Sequence, residues 1–281
     1  MPSSTSRALA TFLVASFMGG CAELHTSYRC GASDECTSPT GGEVGTCEPN
    51  GFCSFADPAC PTGRRYGEHV DNALAGDCVV PLVAFRAATS TSLATGTSLT
   101  IDVPAAAREG DLLWLALFAT SQDVALTPPG GWTPFADLRG VGLYHVWWFQ
   151  RALAAGDPAT VSVDFAASVV HSAILAAYAN VAAADPIDGQ IVDNVVGNPF
   201  VATSLETTVT NAMLVLTVAN EAGDGESWSA PAGMTLRGDT GYLALFDQPA
   251  PDAGATGDRR ATCSLGGEGS VAFVALRPGS P

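Results

Sequence analysis

One pattern limits what residues 82 to 278 can become: the same ordered set of segments occurs twice, roughly a hundred residues apart. "TSLTIDV" (97–103) is answered by "TSLETTV" (203–209), and "DLLWLALFA" (111–119) by "AMLVLTVA" (212–219). "PGGWT" (129–133) is answered by "PAGMT" (231–235), and "SVVHSAILAAY" (168–178) by "GSVAFVALRP" (269–278). Four matches in one order mean a duplicated unit, so any structure assigned to one copy must also suit the other.

That requirement decides segments that are ambiguous alone. "HSAILAAYA" is Ala-rich without strict alternation and could be a helix, but its counterpart "VAFVALR" is β-branched and ends at a Pro, so both are predicted strands. "DLLWLALFA" and "AMLVLTVA" are continuous apolar runs, too short to span a membrane and long enough for strands covered on both faces. In "PGGWT" and "PAGMT", Pro and Gly supply the fixed and permissive backbone angles of a tight turn. The expectation is all-β: a duplicated two-sheet antiparallel β-sandwich of jelly-roll type with about a dozen strands, preceded by a small disulfide-rich module. The predicted boundaries are 1–20 for a signal peptide, 21–80 for a lipid anchor and cysteine-rich module, and 81–199 and 200–281 for the two halves of one sandwich domain.

The second constraint is the cysteines. Cys30, Cys36, Cys47, Cys53, Cys60 and Cys78 crowd a stretch with almost no apolar periodicity, which cannot bury enough surface to fold unaided. Structural zinc sites place two to four residues between paired ligands, and the shortest gaps here hold five. With an export signal upstream, the even count predicts three disulfides, in any of fifteen connectivities. Cys263, far away in "RRATCSLGG", is expected as a small buried hydrophobe on a strand.

The export signal is "MPSSTSR", with one positive charge, followed by the apolar run "ALATFLVASFM" and by "GGC". "MGGC" resembles the lipobox of bacterial lipoproteins, which implies that Cys21 becomes an acylated N-terminus anchored in a membrane. Met18 and Gly19 depart from the Leu and the Ala or Ser which that family prefers. Ala22, not acidic, implies sorting to an outer membrane. The alternative is an ordinary signal peptide, with Cys21 left to pair with Cys263. "CEPNGFCSFADPACPTGRRYG" resembles the cysteine-rich segments that precede varied domains in bacterial surface lipoproteins, which implies a compact spacer. The run containing "PPGGWT", "AAGDPATVSVDF", "AILAAYANV" and "DPIDG" resembles a β-sandwich unit of exported bacterial and phage-tail-like proteins, which implies no catalytic residues.

Charge excludes further classes. All 12 basic residues are Arg, against 28 Asp plus Glu and a net charge of −16. Such a chain repels nucleic-acid phosphates, and the absence of Lys removes P-loop and Schiff-base chemistry. No Gly-x-Ser-x-Gly or His-Glu-x-x-His motif occurs, and no cofactor is implied. His145 and His171 fall in predicted strands, and a hydrolase reading would need one of them in a deep pocket beside Asp or Ser. Alternation in "GLYHVWWFQ" (142–150) sends Leu143, His145, Trp147 and Phe149 to one face and Tyr144, Val146, Trp148 and Gln150 to the other. If one face is open, Tyr144, Trp147 or Trp148 could stack on a sugar ring; otherwise a neighbouring segment covers it. Asp185, Asp188 and Asp193 in "DPIDGQIVDN" form a weak calcium candidate, with a solvated turn as the plainer reading. The expectation is a non-catalytic, lipid-anchored outer-membrane or cell-surface protein serving adhesion, recognition or envelope structure, with a glycan or surface protein as partner. A carbohydrate-binding module and an unrecognised hydrolase are the alternatives.

Overall fold

The structure is a computed structural model, and it describes residues 28 to 279 except 38–41, 49, 61, 71–73, 141–142 and 223–226. The leader and Cys21 therefore lie outside the described residues. Strand makes up 56% and helix 1%, so the fold is all-β with antiparallel sheets, as the patterning predicts.

The cysteine-rich module is a small sheet of β1 (Thr46–Cys47), β2 (Cys53–Ala56) and β3 (Arg64–Tyr66), in that order. Among the described residues its apolar core comprises Phe52, Tyr66, Val70 and Val79, with Leu74 packed against it. All six cysteines predicted to pair do so: Cys30–Cys47, Cys36–Cys53 and Cys60–Cys78. Each bridge closes a loop of 17 or 18 residues, and loops of that size contribute roughly 3 kcal/mol each by restricting the unfolded chain.

The first half follows as β4 (Ala84–Ser90), β5 (Ala94–Asp102), β6 (Leu112–Ala119), β7 (Leu126–Thr127), β8 (Thr133–Arg139), β9 (His145–Ala152) and β10 (Thr160–Ala179). The second half is β11 (Ile187–Gly197), β12 (Phe200–Ala202), β13 (Glu206–Thr207), β14 (Ala212–Asn220), β15 (Trp228–Ser229), β16 (Thr235–Asp239), β17 (Leu243–Ala250), β18 (Gly254–Ala255), β19 (Arg259–Cys263) and β20 (Gly267–Leu276). The main sheets run β4-β10-β6-β9-β8 and β11-β20-β14-β17-β16, one order written twice. The duplication reaches the backbone. Trp132 N donates to Pro129 O (3.2 Å) and Met234 N to Pro231 O (3.0 Å). Gly131 and Gly233 have φ of +79° and +80°, which only glycine adopts cheaply at that turn position. The strand after each turn carries a bulge at the same place, between Pro134 and Ala136 and between Leu236 and Gly238. β11, which the repeat spacing counted with the first half, is the edge of the second sheet and the counterpart of β4. These two edge strands have no matching sequence, so the spacing alone does not pair them.

The two main sheets pack face to face, with β4 against β16 and β8 against β11, an arrangement close to two-fold. Between them lies a shared core that includes Trp114, Tyr144, Trp148, Tyr178, Val215 and Leu245. Each sheet is also covered on its outer face by its own half. β5, β7 and the first part of β10 enclose Leu113, Leu115, Trp147, Phe149 and Phe165. β12, β15 and β19 do the same over Leu214, Leu216, Trp228, Phe246 and Phe273. β6 and β14 are consequently buried at every residue, as their unbroken apolar runs require. The strand total exceeds the dozen expected because each half folds a layer of its own beneath the central pair of sheets.

Candidate functional site

The aromatic strand β9 alternates as predicted, but neither face is open. Tyr144 and Trp148 enter the shared core, whereas Trp147 and Phe149 enter the core of the first half. Tyr144 donates or accepts a hydrogen bond with Ser270 Oγ at 3.0 Å, across the two halves. Tyr144, Trp147 and Trp148 are all buried and offer no open platform for a sugar, one face of the strand being covered by the other half of the repeat and the other by β5, β7 and β10 of its own half. Leu143, at the start of the segment, projects at 79% exposure.

His145 and His171 stand in one row. Ala119 of β6 pairs with both, so the two imidazoles flank a methyl group on the same face. They cap a string of rings in which His145 lies 3.8 Å from Trp147, Trp147 lies 6.2 Å from Phe165, and Phe165 lies 5.2 Å from His171, centroid to centroid. His145 Nε2 pairs with Asp137 Oδ2 at 3.0 Å. Burial pulls both imidazoles below the ordinary histidine value, at His145 against the opposing effect of Asp137. Neither histidine lines any of the grooves described below. Both histidines are buried, at 3% and 4% exposure, with His145 held by the exposed Asp137.

The acidic candidates are not gathered. Asp188 lies in β11, its carboxylate fully buried, accepting from Thr208 N (2.6 Å) and Thr208 Oγ1 (2.5 Å) and facing Arg277 Nη2 at 3.1 Å. Asp185 shares that guanidinium at 3.7 Å, and Asp193 is exposed further along the strand. Asp188 and Asp193 occupy the strand and Asp185 the bend before it, and Arg277 supplies the positive charge beside Asp185 and Asp188. Among the described residues, the one cluster with metal-ligand spacing is Cys30, Cys36 and Cys47, whose sulfurs are held in disulfides. Cys263 is buried on β19, as predicted, with its sulfur accepting from Asn220 Nδ2 at 3.3 Å.

Two concavities fall on residues to which the sequence patterns gave no binding role. One groove, of about 320 Å³, runs along the end of the first half beside Trp132, Thr160 and Ser162. There Arg151 is spent on Asp157 and on the Gly130 carbonyl (3.0 Å), so the guanidinium closes the turn and is not offered to a ligand. The other is a crevice of about 340 Å³ where the cysteine-rich module meets the sandwich. Glu48, Asn50 and Tyr66 reach it from the module, and Asn180 and Asn211 from the sandwich. The linker from Val79 to Leu82 forms its apolar wall. Asn211 Nδ2 donates to Val80 O (3.4 Å) and Asn180 Nδ2 to Leu82 O (2.9 Å), so two asparagines clamp the linker against the sandwich. Asn50 Nδ2 donates to Tyr66 Oη at 2.8 Å, and burial holds the Tyr66 hydroxyl above its usual pKa. These five residues are separated by up to 163 positions (211 − 48) and share no local pattern; the only cue is that Asn180 and Asn211 follow or precede strands, where φ is +60° and +62°. Comparison with protein-family models, with curated proteins and with solved structures gives no match.

Proposed function

We propose that this chain is an exported, lipid-anchored surface protein without catalysis, in which a stapled spacer carries a duplicated sandwich that serves adhesion, recognition or envelope structure. The observation that carries the reading is the pairing of all six clustered cysteines, within residues 30 to 78, into three disulfides. Such bridges persist outside reducing compartments, and a module with so small an apolar core depends on them. The spacer role is supported by how the module is seated. Beside the asparagine clamp, Arg29 faces Asp252 at 3.6 Å, all at one end of the sandwich. The opposite end, where Leu143, Val196 and Leu265 are exposed, is thereby held away from the attachment point.

Cell fractionation tests the proposal. The wild-type chain should sediment with membranes and enter the detergent phase, and Cys21→Ser should shift it to the soluble exported fraction. Recovery of the wild-type chain from the cytosol would overturn the reading.

A further inference from the structure

Strand β10 leaves part of one edge bare. On that edge β6 pairs with residues 171–178 and β7 with Asp164 and Phe165, after which Pro128 and Pro129 turn the chain away. The opposite edge is held by β5 over residues 160–164. Val103 N donates to Ala159 O at 2.8 Å on the β5 side, and Ala166 N donates to Ala125 O at 2.9 Å on the β7 side, which fixes the alternation of the backbone between them. Thr160 and Ser162 therefore turn their N–H and C=O groups to the bare edge, where nothing among the described residues pairs with them. The same residues form one wall of the groove of about 320 Å³, whose apolar lining includes Val103, Leu113, Leu153 and Val161. Trp132 lines it too; it is 8% exposed, and its indole N–H has no acceptor among the described residues, although a buried indole usually finds one. An extended peptide backbone satisfies such an array, whereas a small apolar molecule would use none of the edge groups.

Charge decides which side chains that peptide carries. In an added strand the residue opposite Val161 enters the groove, and those opposite Thr160 and Ser162 face outward. On the outward face stand the exposed Asp102 and Asp164, neither matched by an arginine among the described residues. Arg151, within the groove, is neutralised by Asp157. The complement is a triplet of basic, apolar and basic residues. This chain has no Lys and no two Arg separated by one residue, and its net charge is −16, so a second copy does not supply that triplet. We propose that the bare edge of β10 at residues 160–162 takes up, as an added strand, an extended basic–apolar–basic segment of a partner protein. The assignment rests on the recognition role proposed above, though not on export or lipidation, which fractionation tests separately.

The test is fluorescence anisotropy of the labelled, end-blocked peptide Arg-Val-Arg-Val-Arg with the purified oxidised protein. This peptide should bind. Its counterpart with Glu for every Arg, and a form N-methylated at the arginine backbone nitrogens, should each bind about tenfold more weakly or worse. Ser162→Pro removes an N–H of the bare edge while leaving the ladder to β5 intact, and should weaken binding by about tenfold. Trp132→Phe keeps a ring in the groove without its donor and should weaken binding to a lesser degree. Both variants are accepted only with three intact disulfides by mass and a single melting transition; if one fails this check, the other decides. Binding that N-methylation and the folded variants leave unchanged is attraction to the acidic surface and overturns edge pairing. Equal binding of the Glu peptide overturns the charge assignment and the proposal with it. A dimer in sedimentation that Ser162→Pro dissolves would give the edge to a second copy and also overturn the proposal, as would failure of the arginine peptide to bind at millimolar concentration.

Discussion

The two halves share strand order, turn, bulge and a common core, and they differ at one end of their private cores. In the first half, the row beside β6 holds His145 and His171 over Trp147 and Phe165. In the second, the register places Gly269 where His171 stands and Cys263 where Phe165 stands, and the space is taken by Phe200 and Trp228. A Cβ on Gly269 would lie 2.4 Å from Ala219 O and 2.5 Å from the Phe200 ring, so glycine there is a packing requirement. The long β10 bends unbroken from one layer to the next, whereas residues 264–266 interrupt the equivalent run between β19 and β20. Strand order, turn and bulge are held in common around the shared core, whereas the His145 and His171 row and its counterpart beside Cys263 and Trp228 face only their own half. Stacking two copies fixes the common face and leaves each outer layer to vary.

The largest effect should come from the common face. Trp148→Ala empties a fully buried site in the shared core and should cost about 3–5 kcal/mol. Both halves should then unfold in one transition at lower denaturant. Survival of one half at the wild-type midpoint would mean that the halves are independent domains that happen to touch.

Next come the matched turns. Gly131→Ala and Gly233→Ala each force a left-handed backbone on alanine, costing about 1–2 kcal/mol. The new methyl would meet the Arg151 guanidinium at 3.2 Å in one turn and the Gln248 amide at 2.8 Å in the other, both yielding side chains. Denaturant midpoints of the two variants should therefore fall together, and a cost confined to one turn would show that the equivalence is superficial.

The smallest effect sharpens the contrast. Burial lowers the folded-state pKa of His145 and His171, so the unfolded chain binds more protons at mildly acidic pH, and stability is lost as pH falls below the unfolded value of about 6.5. The charged groups facing the pair are Asp137, Asp123 and Arg139, all around His145. Melting temperature should drop between neutral pH and pH 5, and His171→Phe with His145→Gln should flatten that slope. An unchanged slope would move the acid sensitivity to other groups.

Much of this architecture is legible in the residues. Repetition, continuous apolar runs and cysteine spacing give the strand class, the doubly covered β6 and β14, and the disulfide-bonded residues, because each is a local pattern with one physical solution. The short strands β7, β12, β13, β15 and β18 are two or three residues long, too short to show any period. The burial of Trp147 depends on β10 folding back with β5 and β7 as a second layer, which no local pattern shows. Fifteen cysteine pairings are equally compatible with the spacing; in the fold Cys47 and Cys53 face each other across β1 and β2, yet each bonds to a cysteine of the segment before β1, Cys30 and Cys36, a tertiary choice that spacing does not carry. The crevice is invisible for another reason: Glu48, Tyr66 and Asn211 meet only after the module docks.

The most direct test is a non-reducing peptide mass map of the protein taken from the membrane fraction, alkylated before digestion. It should return an N-terminal peptide that begins at an acylated Cys21, together with peptides linked as Cys30–Cys47, Cys36–Cys53 and Cys60–Cys78. A peptide beginning at Met1, with the six module cysteines alkylated, would contradict the account.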